Sequence, residues 1–241
     1  MQPLYLGPVF RTNNEYMKQF LFIVLACFTT VTYAQNSETR NIAPFTGVKV
    51  AEGIDVYLKK GDKESVKIEV TGTDPENVLT EVSGSYLKIH MRDGNYRHVD
   101  AKVYVTYVKV EKLSASSAGS IFSDGVIKAG EMQISTSSAG AIDVALDAST
   151  VEASASSAGD LKLKGKAKSI TVDSSSAGEI DADDLQAENV EAEASSGGSV
   201  KINVTKSLHA RASSGGSIRY RGNPDRNNTS SSSGGSVKKS N

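Results

Sequence analysis

A four-residue motif recurs seven times at nearly constant intervals, and it constrains the fold more than any other feature of this sequence. The motif reads Ser-Ser-Ala-Gly or Ser-Ser-Gly-Gly, and successive copies end 21, 19, 19, 20, 18 and 19 residues apart. Its final residues are Gly119, Gly140, Gly159, Gly178, Gly198, Gly216 and Gly235. A disordered low-complexity segment would not keep such an interval. The repeat therefore predicts a solenoid in which each coil of about 19 residues is one structural unit.

The residues around each motif alternate between apolar and polar with a period of two. The second residue after the final glycine is aliphatic in every copy: Ile121, Ile142, Leu161, Ile180, Val200, Ile218 and Val237. The same phase precedes the motif, as in Met132 and Ile134. This period indicates β-strands with one buried face. The motif between the strands then forms a sharp corner, where we expect glycine to take the positive φ that other residues disfavour.

Stacking of the coils follows from this pattern, because a single coil of two or three short strands cannot bury its own apolar face. In-register stacking places equivalent residues above one another at about 4.8 Å per rung. The outward column then reads Asp143, Lys162, Asp181, Lys201, in which opposite charges alternate. The predicted fold class is all-β, a right-handed parallel β-helix with coils of about 19 residues.

The N-terminal half lacks the motif but keeps the alternation. Gly53-Ile54-Asp55-Val56 echoes Ala141-Ile142-Asp143-Val144. We therefore expect residues 35–112 to form diverged coils of the same solenoid, continuous with the repeat coils of 113–241. The open end of a solenoid exposes unpaired strand edges. We expect the aromatic residues Phe45, Tyr57 and Tyr86 to close the apolar end.

Residues 1–34 have the features of a secretory signal peptide with Met17 as the true start. Lys18 precedes a nine-residue apolar run, Phe20–Phe28, and small or polar residues lead to Ala34. The run is shorter than the roughly 20 residues that span a bilayer, and no later stretch could span one. Lipidation at Cys27, the single cysteine, is the alternative to cleavage after Ala34, and the sequence favours cleavage. The expected location is extracytoplasmic: periplasm, outer-membrane surface or secreted.

The leader, the Phe45–Leu58 pattern and the recurring Ser-Ser coils resemble the putative auto-transporter adhesin family with a head GIN domain. The resemblance covers residues 40–241, and the family is common among secreted and envelope proteins of Bacteroidetes. It implies a β-helical fold and an extracytoplasmic location, and it brings no catalytic residues with it.

Composition and motif searches exclude several function classes. The chain carries 27 Lys and Arg against 28 Asp and Glu, so it lacks the basic excess of a nucleic-acid binder. It has no Trp and only 6% aromatic residues. His90, His98 and His209 lie far apart without metal-ligand spacing, and no Gly-x-Ser-x-Gly nucleophile motif occurs. We expect no cofactor and no enzymatic activity.

The strongest candidate site in the sequence is acidic. Eight carboxylates and no Lys or Arg lie between positions 173 and 193, with Asp181, Asp183 and Asp184 close together. Such oxygens suit calcium, but the calcium-loop pattern is missing. The sequence favours a solvated face paired with Lys162–Lys168 and Lys201–Arg221 over a metal site.

Three functions remain open. The leading hypothesis is a non-enzymatic, secreted or envelope-associated module that is adhesion-like and binds a polysaccharide or another cell-surface component along its flat faces. The first alternative is a polysaccharide-active enzyme on a β-helix, against which the lack of a clustered acid/base pair stands. The second is a structural envelope protein that associates with itself. The ligand and the oligomeric state are not determined by the sequence.

Overall fold

The structure is a computed structural model that describes residues 36–240, and nearly all of its regular structure is β-strand. The predicted leader and Cys27 lie outside the described residues. Within residues 36–240 the only helical segment is a 3-10 turn at Pro75–Asn77. The strands are β1 (Asn36–Asn41), β2 (Gly47–Val50), β3 (Asp55–Lys60), β4 (Ser65–Thr71), β5 (Val78–Ser83), β6 (Tyr86–Met91), β7 (Asp100–Tyr107), β8 (Lys112–Ala115), β9 (Ser120–Thr136), β10 (Ala141–Ala155), β11 (Asp160–Ser174), β12 (Glu179–Ala194), β13 (Ser199–Ala212), β14 (Ser217–Arg221), β15 (Arg226–Ser231) and β16 (Ser236–Lys239).

The repeat coils stack in parallel and in register, as the sequence predicts. Strand β10 pairs with β9 on one side and β11 on the other, so that Ile121, Ile142 and Leu161 align. The column continues through Ile180, Val200, Ile218 and Val237. All but Val237 are almost fully buried, and Val237 packs against the same core. These stacked coils of about 19 residues form a β-solenoid of about seven turns.

Each repeat coil from β9 to β13 is one long bent strand rather than the two or three short strands expected from the alternation, whereas the next coil is divided into β14 and β15. In β10, Ala148 and Val151 are both buried while Ser149 and Thr150 between them are exposed. Two consecutive outward residues change the phase of the alternation and turn the chain around the core. Because pairing with the neighbouring coils continues through the bend, the strand is not interrupted.

The Ser-Ser motifs form tight turns, but the recurring glycine is not the residue with positive φ. In Ser137–Gly140 the positive φ values belong to Ser138 (49°) and Ala139 (60°), and the Gly140 N–H donates to the Ser137 carbonyl at 2.9 Å. This is the geometry of a type I′ turn. The expectation for the final glycine is therefore wrong. Only in the Ser-Ser-Gly-Gly motifs does a glycine, the third residue, have positive φ.

The recurring glycine is required by close packing between coils. A Cβ on Gly140 would lie 2.5 Å from the carbonyl carbon of Ala115 and 2.8 Å from the backbone nitrogen of Ser116 in the preceding coil. Such approaches to backbone atoms leave no room for a side chain. The turns are also joined along the stack, because Ala139 N–H donates to the Ser157 carbonyl at 3.1 Å and equivalent bonds recur at the other turns.

Replacing Ala158 with glycine is expected to stabilise the protein by about 0.5–1 kcal/mol. Ala158 has a φ of 59°, a left-handed conformation that costs an L-residue roughly 1–2 kcal/mol, and glycine's larger unfolded-state entropy offsets part of the gain. The converse change, Gly197→Ala, should destabilise the chain at the equivalent position, where φ is 76°. Urea denaturation of both variants measures the two signs, and a loss of stability in Ala158→Gly would contradict the assigned turn geometry.

The N-terminal half contributes coils whose order in space differs from their order in the sequence. Strands β2 and β3 form one coil, which pairs with β8 and β9 on one side and with β6 and β7 on the other. The turn between them holds Glu52 and Gly53 at positive φ, and Gly53 N–H donates to the Ser117 carbonyl at 3.0 Å. This turn is therefore an eighth member of the turn stack, although its sequence lacks the Ser-Ser motif.

The sequence similarity between residues 53–56 and 141–144 predicts the correct buried face of the strand but the wrong register. Val56 aligns with Ile121, which aligns with Ile142, whereas the echo matches Ile54 to Ile142. The difference is two residues. A shift of two leaves every side chain on the same face of a strand, so hydrophobic alternation alone cannot detect it.

Antiparallel strands, and not the three aromatic residues, cover the N-terminal end of the stack. Strand β4 pairs antiparallel with β7 and with β1, and β5 pairs antiparallel with β6. Arg40 on β1 joins the two sides, since its guanidinium donates to the carbonyls of Val78 (2.7 Å) and Pro75 (2.9 Å) and to both carboxylate oxygens of Glu38.

The prediction that the three aromatic residues close this end is therefore wrong: one lies in the core and two point outward. Phe45 is buried in the core. Tyr57 points outward because Val56 and Leu58 on either side of it face the core. Tyr86 is also outward and covers Gly47, with the amine of Lys112 5.8 Å from its ring centre.

Candidate functional site

Three aromatic side chains form a stack on the outer surface of the solenoid. Strand β3 lies between β7 and β9, and the register places Tyr57 beside Tyr104 and Phe122. The ring centres of Tyr57 and Tyr104 are 5.3 Å apart at an interplanar angle of 21°, and those of Tyr57 and Phe122 are 5.3 Å apart at 24°. We call these three residues the aromatic ladder. It results from parallel pairing, which superimposes equivalent outward positions of adjacent coils.

A groove of about 570 Å³ lies beside the aromatic ladder and is lined mainly by apolar surface. Its far wall is the next outward column, in which Lys59 aligns with Thr106 on one side and Asp124 on the other. Tyr104 remains 38% exposed. The lining residues are Tyr57, Lys59, Tyr104, Val105, Thr106, Phe122, Ser123 and Asp124.

The rings leave mainly their edges free for a ligand. Tyr57 lies between two rings, so both of its faces are occupied. The amine of Lys67 lies 5.9 Å from the centre of Tyr104 and is paired with Glu69 at 2.6 Å. The hydrogen bond to Glu69 raises the pKa of Lys67, and desolvation raises the pKa of Tyr104. Lys67 is therefore charged and Tyr104 neutral at physiological pH.

A column of charged side chains continues from the aromatic ladder along the same face. Phe122 aligns with Asp143, followed by Lys162, Asp181 and Lys201, so the predicted register of the alternating charges is confirmed. The ion pairs are partly diagonal, since Asp143 pairs with Lys164 at 2.9 Å. These contacts are half exposed, and such pairs contribute about 0–1 kcal/mol each.

The acidic candidates Asp181, Asp183 and Asp184 are adjacent, and the first two are paired with cations. Asp181 contacts the amine of Lys201 at 3.4 Å and accepts a hydrogen bond from the Asp183 backbone at 3.2 Å. Asp183 contacts Arg221 at 3.2 Å. Asp184 is exposed.

Carboxylates next to Asp181 also interact with Lys201, and these charges shift the pKa values of nearby groups. Lys201 also holds Glu179 at 3.0 Å, and this hydrogen bond raises the pKa of Lys201. Burial, together with the charges of Glu179 and Asp181, raises the pKa of Asp160 in the preceding coil. Within the described part of the chain, no group of three or more His, Cys, Asp or Glu side chains is arranged to hold a metal ion.

The three histidines lie apart and outside the groove. His90 Nδ1 lies 2.9 Å from the Met91 carbonyl. His98 has a positive φ of 56° in the loop between β6 and β7. His209 is outward on β13 and aligns with Glu191.

The aromatic ladder was not identified as a site from the sequence, although one signal for it was present. Phe122 occupies an outward position that is charged in most other coils. Tyr104 and Tyr57 carry no motif, and their alignment depends on the non-sequential order of β3 and β7, which the alternation does not reveal.

Comparison with known families agrees with this architecture. The family model described as "Putative auto-transporter adhesin, head GIN domain" matches residues 44–224. The chain belongs to this family. The resemblance identified in the sequence is thereby confirmed. No curated protein matches the chain.

Solved structures of similar fold include proteins from two genera. A putative adhesin from Bacteroides fragilis has a TM-score of 0.77 at 20% identity, covering 86% of this chain and 97% of its own. A putative adhesin from Parabacteroides distasonis has a TM-score of 0.72 at 19% identity, with 87% and 98% covered. A putative lipid binding protein from the same species has a TM-score of 0.62 at 20% identity, covering 86% of this chain and 97% of its own. At these identities the likeness shows the fold.

Proposed function

We propose that this adhesin-family protein is a non-enzymatic binding module of the cell envelope or exterior, and that it binds an extended polysaccharide in the groove beside the aromatic ladder. The observation that carries the proposal is the outward stack of Tyr104, Tyr57 and Phe122 next to an apolar groove with charged walls. Exposed aromatic groups with adjacent polar groups are typical of recognition surfaces.

The chemistry of the groove suits a ligand that is apolar on one side and rich in hydroxyl groups on the other. The ring edges and Val105 offer apolar contacts, while Lys59, Thr106 and Asp124 offer hydrogen-bond donors and acceptors. A pyranose chain has both kinds of surface. The walls carry one positive and one negative charge, so we expect a neutral glycan rather than a polyanion.

The location forms part of the same proposal. Membership of an adhesin family supports an envelope or extracellular site, as does the predicted leader. Among residues 36–240 no helix is long and apolar enough to span a membrane. Fractionation of the host cells with intact-mass measurement should find a mature chain that begins at Gln35, and a cytoplasmic chain that keeps residues 17–34 would contradict the proposal.

Binding to an array of surface polysaccharides tests the proposed ligand class. We expect Tyr104→Ala and Phe122→Ala to weaken binding at least about tenfold, because we assign both rings as hot spots of the interface, and truncating a hot spot costs about 2 kcal/mol or more. Lys162→Ala, on the same face but outside the groove, is the matched control and should bind as the unmodified protein does. Retained binding in both aromatic variants would contradict the assigned groove.

The same experiment separates the other function classes. Released oligosaccharides in the reaction mixture would show a polysaccharide-active enzyme instead of a binding module. A lipid ligand is also tested, since one structural neighbour is described as lipid binding. Binding to neutral phospholipid vesicles that is lost in Tyr104→Ala, without binding to any glycan, would replace the proposed ligand class with lipid.

A further inference from the structure

The two ends of the solenoid carry opposite net charges. The C-terminal end, residues 217–240, has five Lys or Arg and one Asp: Arg219, Arg221, Arg226, Lys238, Lys239 and Asp225. The strands and loops that cover the N-terminal end, residues 36–41, 61–83 and 92–99, have eight Asp or Glu and five Lys or Arg. The net charge is therefore about +4 at the C-terminal end and about −3 at the N-terminal end.

The two ends also present the outermost strands of one continuous sheet. The hydrogen-bonded order runs β1-β4-β7-β3-β9-β10-β11-β12-β13-β14-β16, so β1 and β16 are the ends of this run within the described residues. Two further strands also pair on one side only: β5, with β6, at the N-terminal end, and β15, with β13, at the C-terminal end. Strand β16 pairs with β14 on one side, and β1 pairs with β4 on one side. Among residues 36–240 no strand pairs with the outer side of either strand, whose N–H and C=O groups can accept another strand.

We propose that copies of this chain associate head to tail, with β16 of one copy pairing with β1 of the next. Strand pairing would satisfy the outer edges of β1 and β16, and the opposite charges would orient the contact. Arg40 crosses from β1 to the start of β5, where it donates to the carbonyl of Val78 and the hydroxyl of Thr80, so the outer side of β5 is partly occupied and β1 is the more open strand at this end.

The charges exclude the symmetric alternatives. A two-fold contact between C-terminal ends would bring two positive surfaces together, and one between N-terminal ends would bring two negative surfaces together. A head-to-tail contact joins different surfaces, so it does not close on itself and produces open chains of increasing length. Its strength should fall as salt screens the charges.

Two double variants test the contact. Lys238 and Lys239 are exposed on β16, and Glu76 and Glu81 are exposed at the N-terminal end. Changing Lys238→Glu with Lys239→Glu removes the net charge of the C-terminal end. Changing Glu76→Lys with Glu81→Lys shifts the net charge of the N-terminal end from about −3 to about +1. Lys128→Glu with Lys162→Glu makes the same change in net charge as the first pair but in the middle of the stack, and it serves as the control.

Sedimentation velocity of the full chain at low ionic strength should show a mass that rises with concentration, in the unmodified protein and in the control. Each end variant alone should stay monomeric. An equimolar mixture of the two end variants should stop at a dimer, because it contains one unmodified end of each kind. A monomer at all concentrations in the unmodified protein would overturn the proposal. Association that persists in either end variant alone would overturn it as well.

Discussion

Replacing Gly140 with alanine is expected to lower the stability of the protein by about 3 kcal/mol, at the upper end of what overpacking usually costs. The added Cβ would lie 2.5 Å from the carbonyl carbon of Ala115 and 2.8 Å from the nitrogen of Ser116. Both atoms belong to backbone that is held in place by hydrogen bonds between coils, since Ser137 N–H donates to the Ala115 carbonyl at 3.1 Å. The neighbouring coil cannot move away without losing these bonds.

Gly130→Ala is the matched control for this substitution. A Cβ at Gly130 meets no atom within 4 Å, and Gly130 is exposed on β9 without a positive φ. Its stability should change little, or increase because alanine has less conformational freedom in the unfolded chain. Thermal unfolding of the two variants side by side measures the difference, and equal melting temperatures would show that the coils do not approach each other at the turn.

Leu161→Ala is expected to destabilise the protein by about 2–5 kcal/mol, the range for a leucine deleted from a packed core. Leu161 is fully buried, and the register places it between Ile142 and Ile180 of the adjacent coils. The cavity would interrupt the apolar column in the middle of the stack. Urea denaturation should show this loss, whereas Val126→Ala, at a side chain that is 52% exposed, should stay within about 0.5 kcal/mol of the unmodified protein. A small effect at Leu161 would contradict the column.

The repeat coils were predictable because each one contains residues that fix its alignment with the neighbouring coils. The turn motif fixes the register, and Ile142 or Leu161 at a constant offset fixes the buried face. The N-terminal half lacks the recurring turn motif and therefore has no such residues. Alternation cannot distinguish a register shift of two residues, nor parallel from antiparallel pairing, so neither the insertion of β2 and β3 between other coils nor the antiparallel β1, β4 and β5 could be inferred from it.

The role of glycine in the turns shows a second limit of sequence reasoning. A recurring glycine in a turn suggests positive φ, but Ser138 and Ala139 adopt that conformation while Gly140 provides space for the next coil. A need for positive φ and a need for space would each place a glycine at the same interval along the chain. Only the contact with Ala115 in the structure shows that space is the reason. The aromatic ladder was hidden for a related reason, because Tyr57 and Tyr104 become neighbours only through pairing between distant segments.

Disulfide formation between engineered cysteines tests the stacking of the coils most directly. The first variant carries Cys27→Ser with Asp143→Cys and Lys162→Cys, which lie on adjacent coils with both side chains outward. Their Cα atoms are about 4.8 Å apart, which is within the range that a disulfide can bridge. The pair Asp143→Cys and Asp181→Cys is two rungs apart, about 10 Å, which is too far. Non-reducing electrophoresis after mild oxidation should therefore show an intrachain disulfide in the first variant and none in the second. Cross-linking of the second pair without the first would contradict the in-register solenoid.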